Sequence, residues 1–415
     1  MSTKINTIII GAGHSGMAMS HTLVQAGREH LVLERYSQVG ETWRRERWDS
    51  FGMVIPNWAI RLPGAEYDGA YPDAFMPRGE FIQLLETYAS KYQMPIQFNT
   101  RVTSVEKHPS GNGYCVKTDQ GDFEAQNVVV ATGFFQDSRI PELASSFPQD
   151  ILQLHTSQYR NPQSLPEGAV LVVGTGQSGS QIAEELYLSG RRVYLCVGKS
   201  GRMPRRYRGK DALEWLKVTG FLDRTLEDLP NSRARFDAAP QLSGARGGHT
   251  LNLHQFARDG VHLLGHLQGI QDGKLSIAPD LMESLQRTDA FEAGLLKRID
   301  DFVTRTGIDA PAESLPVLRD GYDTPIQTEL DLRQANISTA IWATGYRFDF
   351  SWVKPASMDS DGFPVQRQGV SPCPGLYFFG LPWQDNFGSG FMYNLGKAAE
   401  HILEDMLERE RVMNR

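Results

Sequence analysis

Residues 7–34 read TIIIGAGHSGMAMSHTLVQAGREHLVLE, and the fold is decided by this stretch. Thr7 to Ile10 is a short β-branched run, Gly11 to Gly16 is a glycine turn, and Met17 to Ala26 has helical periodicity. Strand, turn and helix in that order open a dinucleotide-binding unit. Gly11 permits the tight turn, Gly13 lets the main chain approach a pyrophosphate, and Gly16 lets the helix pack closely on the strand. The helix N-terminus then offers unpaired amides to the phosphates. A second strand, Leu31 to Leu33, ends at Glu34, about 20 residues beyond Gly13, where a carboxylate can accept both ribose hydroxyls. The acid in that position separates the motif from a chance turn.

The pattern returns at residues 169–190, AVLVVGTGQSGSQIAEELYLSG. Ala169 to Val173 is the strand, Gly174, Gly176 and Gly179 punctuate the turn, and Gln177, Ser178, Ser180 and Gln181 surround the start of the helix. Both copies close on a glycine where the helix should end, Gly27 and Gly190. Val197 falls opposite Glu34, so the ribose acid is missing from the second copy. A basic run follows instead: Lys199, Arg202, Arg205, Arg206 and Arg208. A carboxylate there would repel a 2′-phosphate, and cations favour it. The first unit is therefore assigned FAD, through Gly11, Gly13, Gly16, Glu34 and the adjoining Arg35. NADPH is assigned to the second, with Lys199, Arg202 and Arg205 on its 2′-phosphate.

Two further strands end in the same small residues, Ala131-Thr132-Gly133 and Ala343-Thr344-Gly345, the first expected at the flavin site and the second at the NADPH site. The expected architecture is α/β, with two Rossmann-like dinucleotide-binding domains and the NADPH domain inserted into the FAD domain. The FAD domain is expected over 1–160 and 335–415, and the NADPH domain over 165–330 with a helical elaboration at about 203–315.

Two GxGxxG units, each associated with an Ala-Thr-Gly strand end, resemble the flavin-containing monooxygenase family and its bacterial relatives across nearly the whole chain. Gly40-Glu-Thr42-Trp43 is similar to that family's GGxW segment beside the flavin, with Glu41 in place of the second glycine. The resemblance places Asn57 between flavin and nicotinamide, the Val102 backbone at the adenine, and the segment of Gly388 and Gly390, ahead of a helix over Phe391–Leu407, against the flavin ring. His155 and Tyr159 keep the spacing of the family's FxGxxxHxxxY linker, while Gln149 and Ile151 replace its aromatic residue and glycine; interdomain packing is the favoured reading of the pair. The resemblance implies NADPH reduction of FAD, activation of O2 as a C4a-(hydro)peroxyflavin, and oxygenation of a small organic substrate at nitrogen or sulfur. Baeyer–Villiger oxygenation, NADPH oxidase or electron-transfer activity, and non-catalytic flavin binding are the alternatives. A homodimer is the family-level expectation.

Composition restricts the partners. With 415 residues, a net charge of −7 and 22% charged residues, the chain suits a two-domain globular enzyme and lacks a nucleic-acid footprint. No run of 18 apolar residues occurs, and Met1 to Ile5 lacks the features of a secretory signal, so a cytoplasmic protein without a membrane span is expected. Cys115, Cys196 and Cys373 are far apart and form neither a CxxC pair nor a metal cluster. Gly380 is followed by Leu381 rather than the aspartate frequent in disulfide reductases of related architecture. Dithiol chemistry is not expected.

Overall fold

In the computed structural model, which describes residues 2–413, the N-terminal apolar run is strand β1 (Thr3–Ile10), and α1 (His14–Gln25) leaves the glycine turn behind it. Strands β2 (His30–Leu33), β3 (Ile96–Gln97), β4 (Val102–Lys107), β5 (Tyr114–Thr118) and β6 (Phe123–Val130) complete most of the first sheet, in the order β3-β2-β1-β6-β5-β4. The last four residues of β1 and of β6 are all buried. Strands covered on both faces tolerate such unbroken apolar runs, whereas a one-sided sheet would alternate.

The second sheet takes β7 (Leu152–His155), β8 (Ala169–Val173), β9 (Val193–Cys196) and β10 (His262–Leu264), with α2 (Gln177–Leu188) between β8 and β9. A small antiparallel sheet, β11 (Leu267–Gln271), β12 (Lys274–Ile277) and β13 (Glu329–Asp331), follows β10. Strand β14 (Ile337–Trp342) then inserts between β7 and β8, giving the parallel order β7-β14-β8-β9-β10. The final strand, β15 (Leu376–Phe378), returns to the first sheet and pairs with β6. No helix among the described residues is long and apolar enough to cross a membrane.

The expected boundaries need correction. Residues 152–155 and 337–342 were expected in the FAD domain, yet β7 and β14 hydrogen-bond into the second sheet, Leu152 opposite Thr339 and Val172 opposite Ile341. Nor is 203–315 one helical elaboration, since β10, β11 and β12 belong to the second unit's own sheets. What remains is α3 (Ala212–Val218), turns through Phe236, the glycine-rich segment 244–249 and the long α4 (Leu281–Thr306). Met203, Tyr207, Trp215, Leu222, Leu295 and Ile299 share a core with Met53, Ile55 and Met76, so this part packs on the 51–77 segment of the first unit. The C-terminal helix α5 (Leu395–Met413) starts four residues later than expected, and Gly388 and Gly390 belong to a separate 3-10 turn, Phe387–Gly390.

Strand register sets where ligands can bind. Ile10 pairs with Leu33 and Val130, and Val130 with Phe378, so Gly11, Glu34 and Ala131 emerge together at the carboxyl edge of the first sheet. Val173 pairs with Cys196 and Trp342, which brings Gly174, Val197 and Ala343 to the equivalent edge of the second. Open α/β sheets bind their ligands at this edge.

Candidate functional site

The two glycine turns have matching geometry. Gly11 and Gly174 adopt φ of +105° and +107°, in the left-handed region that favours glycine. A Cβ on Gly16 would stand 1.9 Å from the Gly11 carbonyl oxygen, and one on Gly179 would stand 2.0 Å from that of Gly174. Helix and turn are in backbone contact in both copies. Above Gly13, by contrast, nothing lies within 4 Å of a built Cβ, which leaves the open cradle a pyrophosphate needs.

Glu34 reaches this cradle. The Ala12 amide donates to its Oε2 at 2.8 Å and the Tyr36 amide to its Oε1 at 3.0 Å. Both bonds fix the carboxylate beside the turn, and the remaining lone pairs suit ribose hydroxyls. The Thr100 amide donates to the Glu34 carbonyl, placing the chain that leads to Val102 next to it, and Val102 opens β4 opposite Thr118. Arg35 lies over the Tyr36 ring at 4.7 Å. Thr42 and Trp43 occupy a short helix, Glu41–Arg45, where the Trp43 ring meets Phe81 at 4.7 Å and His14 at 6.2 Å. In place of the family's glycine, Glu41 is buried and bonded to Gln38 and Arg45; those bonds outweigh its desolvation and hold its pKa below the usual range. Gln136 bonds both the Thr132 hydroxyl and the Gly133 carbonyl.

Asn57 supplies a second sign of an absent ligand. Its Nδ2 donates to the Tyr71 carbonyl at 3.0 Å, and its buried Oδ1 has no partner. A buried amide oxygen without a donor is costly, and a ligand N–H would satisfy it. His14, the fourth residue of the first turn, was not singled out from sequence. Enclosure by the surrounding protein pushes its pKa down to about 4, so its imidazole is neutral at physiological pH. The only signal for it was its place between two glycines of the motif.

In the second turn a hydroxyl replaces the acid. Thr175 Oγ1 accepts from the Gly198 amide at 2.9 Å, whereas Val197, opposite Glu34, is fully buried and apolar. Gln241 Nε2 donates to the Thr175 carbonyl at 3.1 Å and Gln181 Nε2 to the Leu242 carbonyl at 2.6 Å, tying the 241–242 segment to the turn. Gln177 and Ser178 begin α2 and Ser180 bonds back to Thr175.

Arg202 and Arg205, expected on a 2′-phosphate, are both buried and ion-paired with carboxylates, and the Nε and Nη1 of Arg202 are without a partner among the described residues. Arg202 is buried and its Nη2 is ion-paired with Asp289 at 2.8 Å and Glu292 at 2.6 Å. Arg205, 2% exposed, donates to Asp211 and to the Val54 carbonyl and stacks on Phe75 at 4.5 Å. A local count of positive charges could not foresee acidic partners on α4, some ninety residues away. Lys199 remains exposed and, among the described residues, without a carboxylate partner.

His155 and Tyr159 both hydrogen-bond to residues of the second unit. His155 Nε2 lies 2.9 Å from the Gly345 carbonyl, and burial lowers its pKa against that bond's upward pull. The Tyr159 hydroxyl donates to Glu185 at 2.8 Å, and Ser50 donates to the same carboxylate at 2.7 Å, which joins the first unit to α2. The segment beyond the first Ala-Thr-Gly end meets the second: Asp137–Ser138 pairs antiparallel with Tyr346–Arg347, and the Arg139 amide donates to the Gly345 carbonyl at 3.0 Å. The three cysteines are free, and burial raises the Cys196 thiol to about 12.

Two paired dinucleotide cradles joined at their strand ends define a flavoprotein oxidoreductase. The chain belongs to the pyridine nucleotide-disulphide oxidoreductase family, whose pattern it matches over residues 8–219. It is similar to an uncharacterized CzcO-like oxidoreductase of Geobacillus kaustophilus, 32% identical over 409 residues that span 98% of this chain and 99% of the relative. A probable indole-3-pyruvate monooxygenase of Arabidopsis thaliana is 32% identical over 193 residues, 46% of each chain. A flavin-containing monooxygenase from Stenotrophomonas maltophilia has the same fold, with a TM-score of 0.65 at 18% identity over 98% of this chain and 99% of that one.

Proposed function

We propose that this protein is an NADPH- and FAD-dependent monooxygenase that oxygenates a small organic substrate at nitrogen or sulfur. The observation that carries the reading is the antiparallel pairing of Asp137–Ser138 with Tyr346–Arg347, which ties the segment beyond one Ala-Thr-Gly end to the residues that follow the other. The monooxygenases among its relatives and structural neighbours support the oxygenase class. When bound, FAD and NADPH would supply the reducing equivalents and the oxygen-activating chemistry, one oxygen atom of O2 going to the substrate and the other to water.

The chain's own residues bind and orient. Glu34 holds the ribose of FAD, Gly13 admits its pyrophosphate, and Trp43 borders its ring. The orphan Asn57 oxygen would accept a hydrogen bond from an N–H of the bound coenzyme. Gly176 admits the coenzyme pyrophosphate, and Lys199 supplies the cation for the 2′-phosphate. The Ser50–Glu185–Tyr159 bonds tie the first unit to α2.

The test is incubation of the yellow holoprotein with NADPH and isotopically labelled O2 across a panel of amines, thioethers and ketones. Labelled N- or S-oxides formed in step with NADPH consumption are the expected result. Esters alone would establish Baeyer–Villiger chemistry, and NADPH consumption without labelled product would establish an oxidase or reductase. A cytoplasmic homodimer belongs to the same reading, and light scattering checks its mass.

A further inference from the structure

The second glycine turn is roofed where the first is open. Nothing lies within 4 Å of a Cβ built on Gly13, whereas one built on Gly176 would meet the Ala238 Cβ at 3.8 Å. Ala238 is itself exposed and belongs to residues 220–249, which leave α3 and run through 3-10 turns and isolated bridges with no α-helix or strand. Segments longer than about 12–15 residues without regular structure are uncommon in compact domains, and ordered ones are usually functional.

The segment is fastened to both units. On the second, Gln241 Nε2 donates to the Thr175 carbonyl at 3.1 Å and Gln181 Nε2 to the Leu242 carbonyl at 2.6 Å. On the same face of α2, Glu184 pairs with Arg246 Nη2 at 2.6 Å, and His249 Nε2 lies 2.7 Å from its other oxygen. On the first unit, buried Arg235 pairs through Nη2 with Asp359 at 2.5 Å and Asp361 at 3.2 Å. Beside it the Phe236 ring lies parallel to the Phe134 ring at 5.7 Å, and Phe134 directly follows Gly133. At the far end a Cβ on Gly244 would stand 1.8 Å from the Met53 carbonyl oxygen, so the chain runs backbone to backbone against the 51–77 loop that carries Asn57. Ala238 stands midway between Arg235 and Gln241. A dinucleotide seated on the amides of the second turn therefore lies against this segment, and the segment passes the contact to the first unit at both fastenings.

We propose that residues 231–249 are a strap that positions the coenzyme in the second turn, with Ala238 against its pyrophosphate, and that ties coenzyme binding to the 51–77 loop. The proposal rests on the assignment of the coenzyme to the second turn and is independent of what becomes of O2.

The experiment is calorimetric titration of the FAD holoprotein with NADP+, comparing the wild type with Ala238→Asp and Ala238→Lys. The carboxylate variant should bind NADP+ about tenfold more weakly than the ammonium variant, with the gap narrowing as salt rises. A structural disturbance alone would weaken both variants alike. The tie between the units is read by amide hydrogen exchange, where NADP+ should slow exchange in 231–249 and also in 51–77. Equal affinity of the two variants, or slowed exchange that stops short of 51–77, would overturn the proposal. A wild-type holoprotein that does not bind NADP+ removes the coenzyme assignment and the strap with it. Bound NADP+ with the expected variant gap, but no labelled product from O2, keeps the strap and removes the oxygenase reading.

Discussion

Arg205 Nε donates to Asp211 Oδ2 at 2.8 Å, deep in the contact between the 203–211 segment and the 51–77 loop. The same guanidinium bonds the Val54 carbonyl at 2.9 Å, so one side chain binds both partners of that contact. Removing it strands a buried carboxylate. Arg205→Ala should cost about 3 kcal/mol of stability in denaturant unfolding, and leave the ratio of NADPH to NADH affinity unchanged. A selective loss of NADPH binding with intact stability would return Arg205 to the phosphate site.

Lys199 is an exposed cation of the basic run without a carboxylate partner among the described residues, and it is the one proposed to read that phosphate. Lys199→Ala should weaken NADPH binding about fivefold in equilibrium titration, the size of one exposed charge contact, and leave NADH binding as it was. Equal weakening of both coenzymes would show that Lys199 does not touch the 2′ position.

The first turn separates folding from binding. A Cβ on Gly16 collides with the Gly11 carbonyl at 1.9 Å, whereas one on Gly13 meets nothing within 4 Å. Gly16→Ala should therefore destabilise the apoprotein by about 2 kcal/mol or more, as overpacking against backbone does. Gly13→Ala should leave apoprotein stability within about 0.5 kcal/mol and still lower FAD affinity, because the new methyl occupies the pyrophosphate cradle. Apoprotein melting and flavin retention on desalting distinguish the two.

His14 contributes a pH dependence of determinate sign. Its pKa is about 4 in the folded protein against an ordinary 6.5, so as pH falls through 6.5 the unfolded chain takes up the proton first. The stability it contributes is complete above pH 6.5, declines toward pH 4 and is gone below. His155 and His30 are shifted the same way by burial. Urea unfolding of the apoprotein over this range should show a shallower loss in His14→Asn than in the wild type. Identical slopes would mean that His14 titrates as it does in water.

The sequence made the two nucleotide units legible because their signals are local. Strand, glycine turn and helix adjoin in the chain, and the glycines are required by contacts within the same twenty residues, as Gly16 against Gly11 shows. The fate of Arg202 was not legible, since Asp289 and Glu292 come from α4, and pairing over that distance leaves no periodic trace. Strand membership failed for the same reason: β7 and β14 are apolar segments whose sheet is chosen by partners far along the chain. Asn57 was marked by resemblance alone, and its unpartnered oxygen became visible only with the surrounding backbone in place.

The insertion of β14 between β7 and β8 has a consequence for biosynthesis. The second sheet lacks an interior strand until residue 342 has left the ribosome, and the first lacks β15 until residue 378. Translation runs at about 5–20 residues per second, so the Val-rich edge of β8 waits on the order of ten seconds or more for its neighbour. Throughout that interval it is an unpaired, apolar strand edge open to wrong partners. Nascent chains of this protein should accordingly be held by chaperones until nearly the whole polypeptide is made, and a stop codon before residue 337 would leave neither sheet able to close.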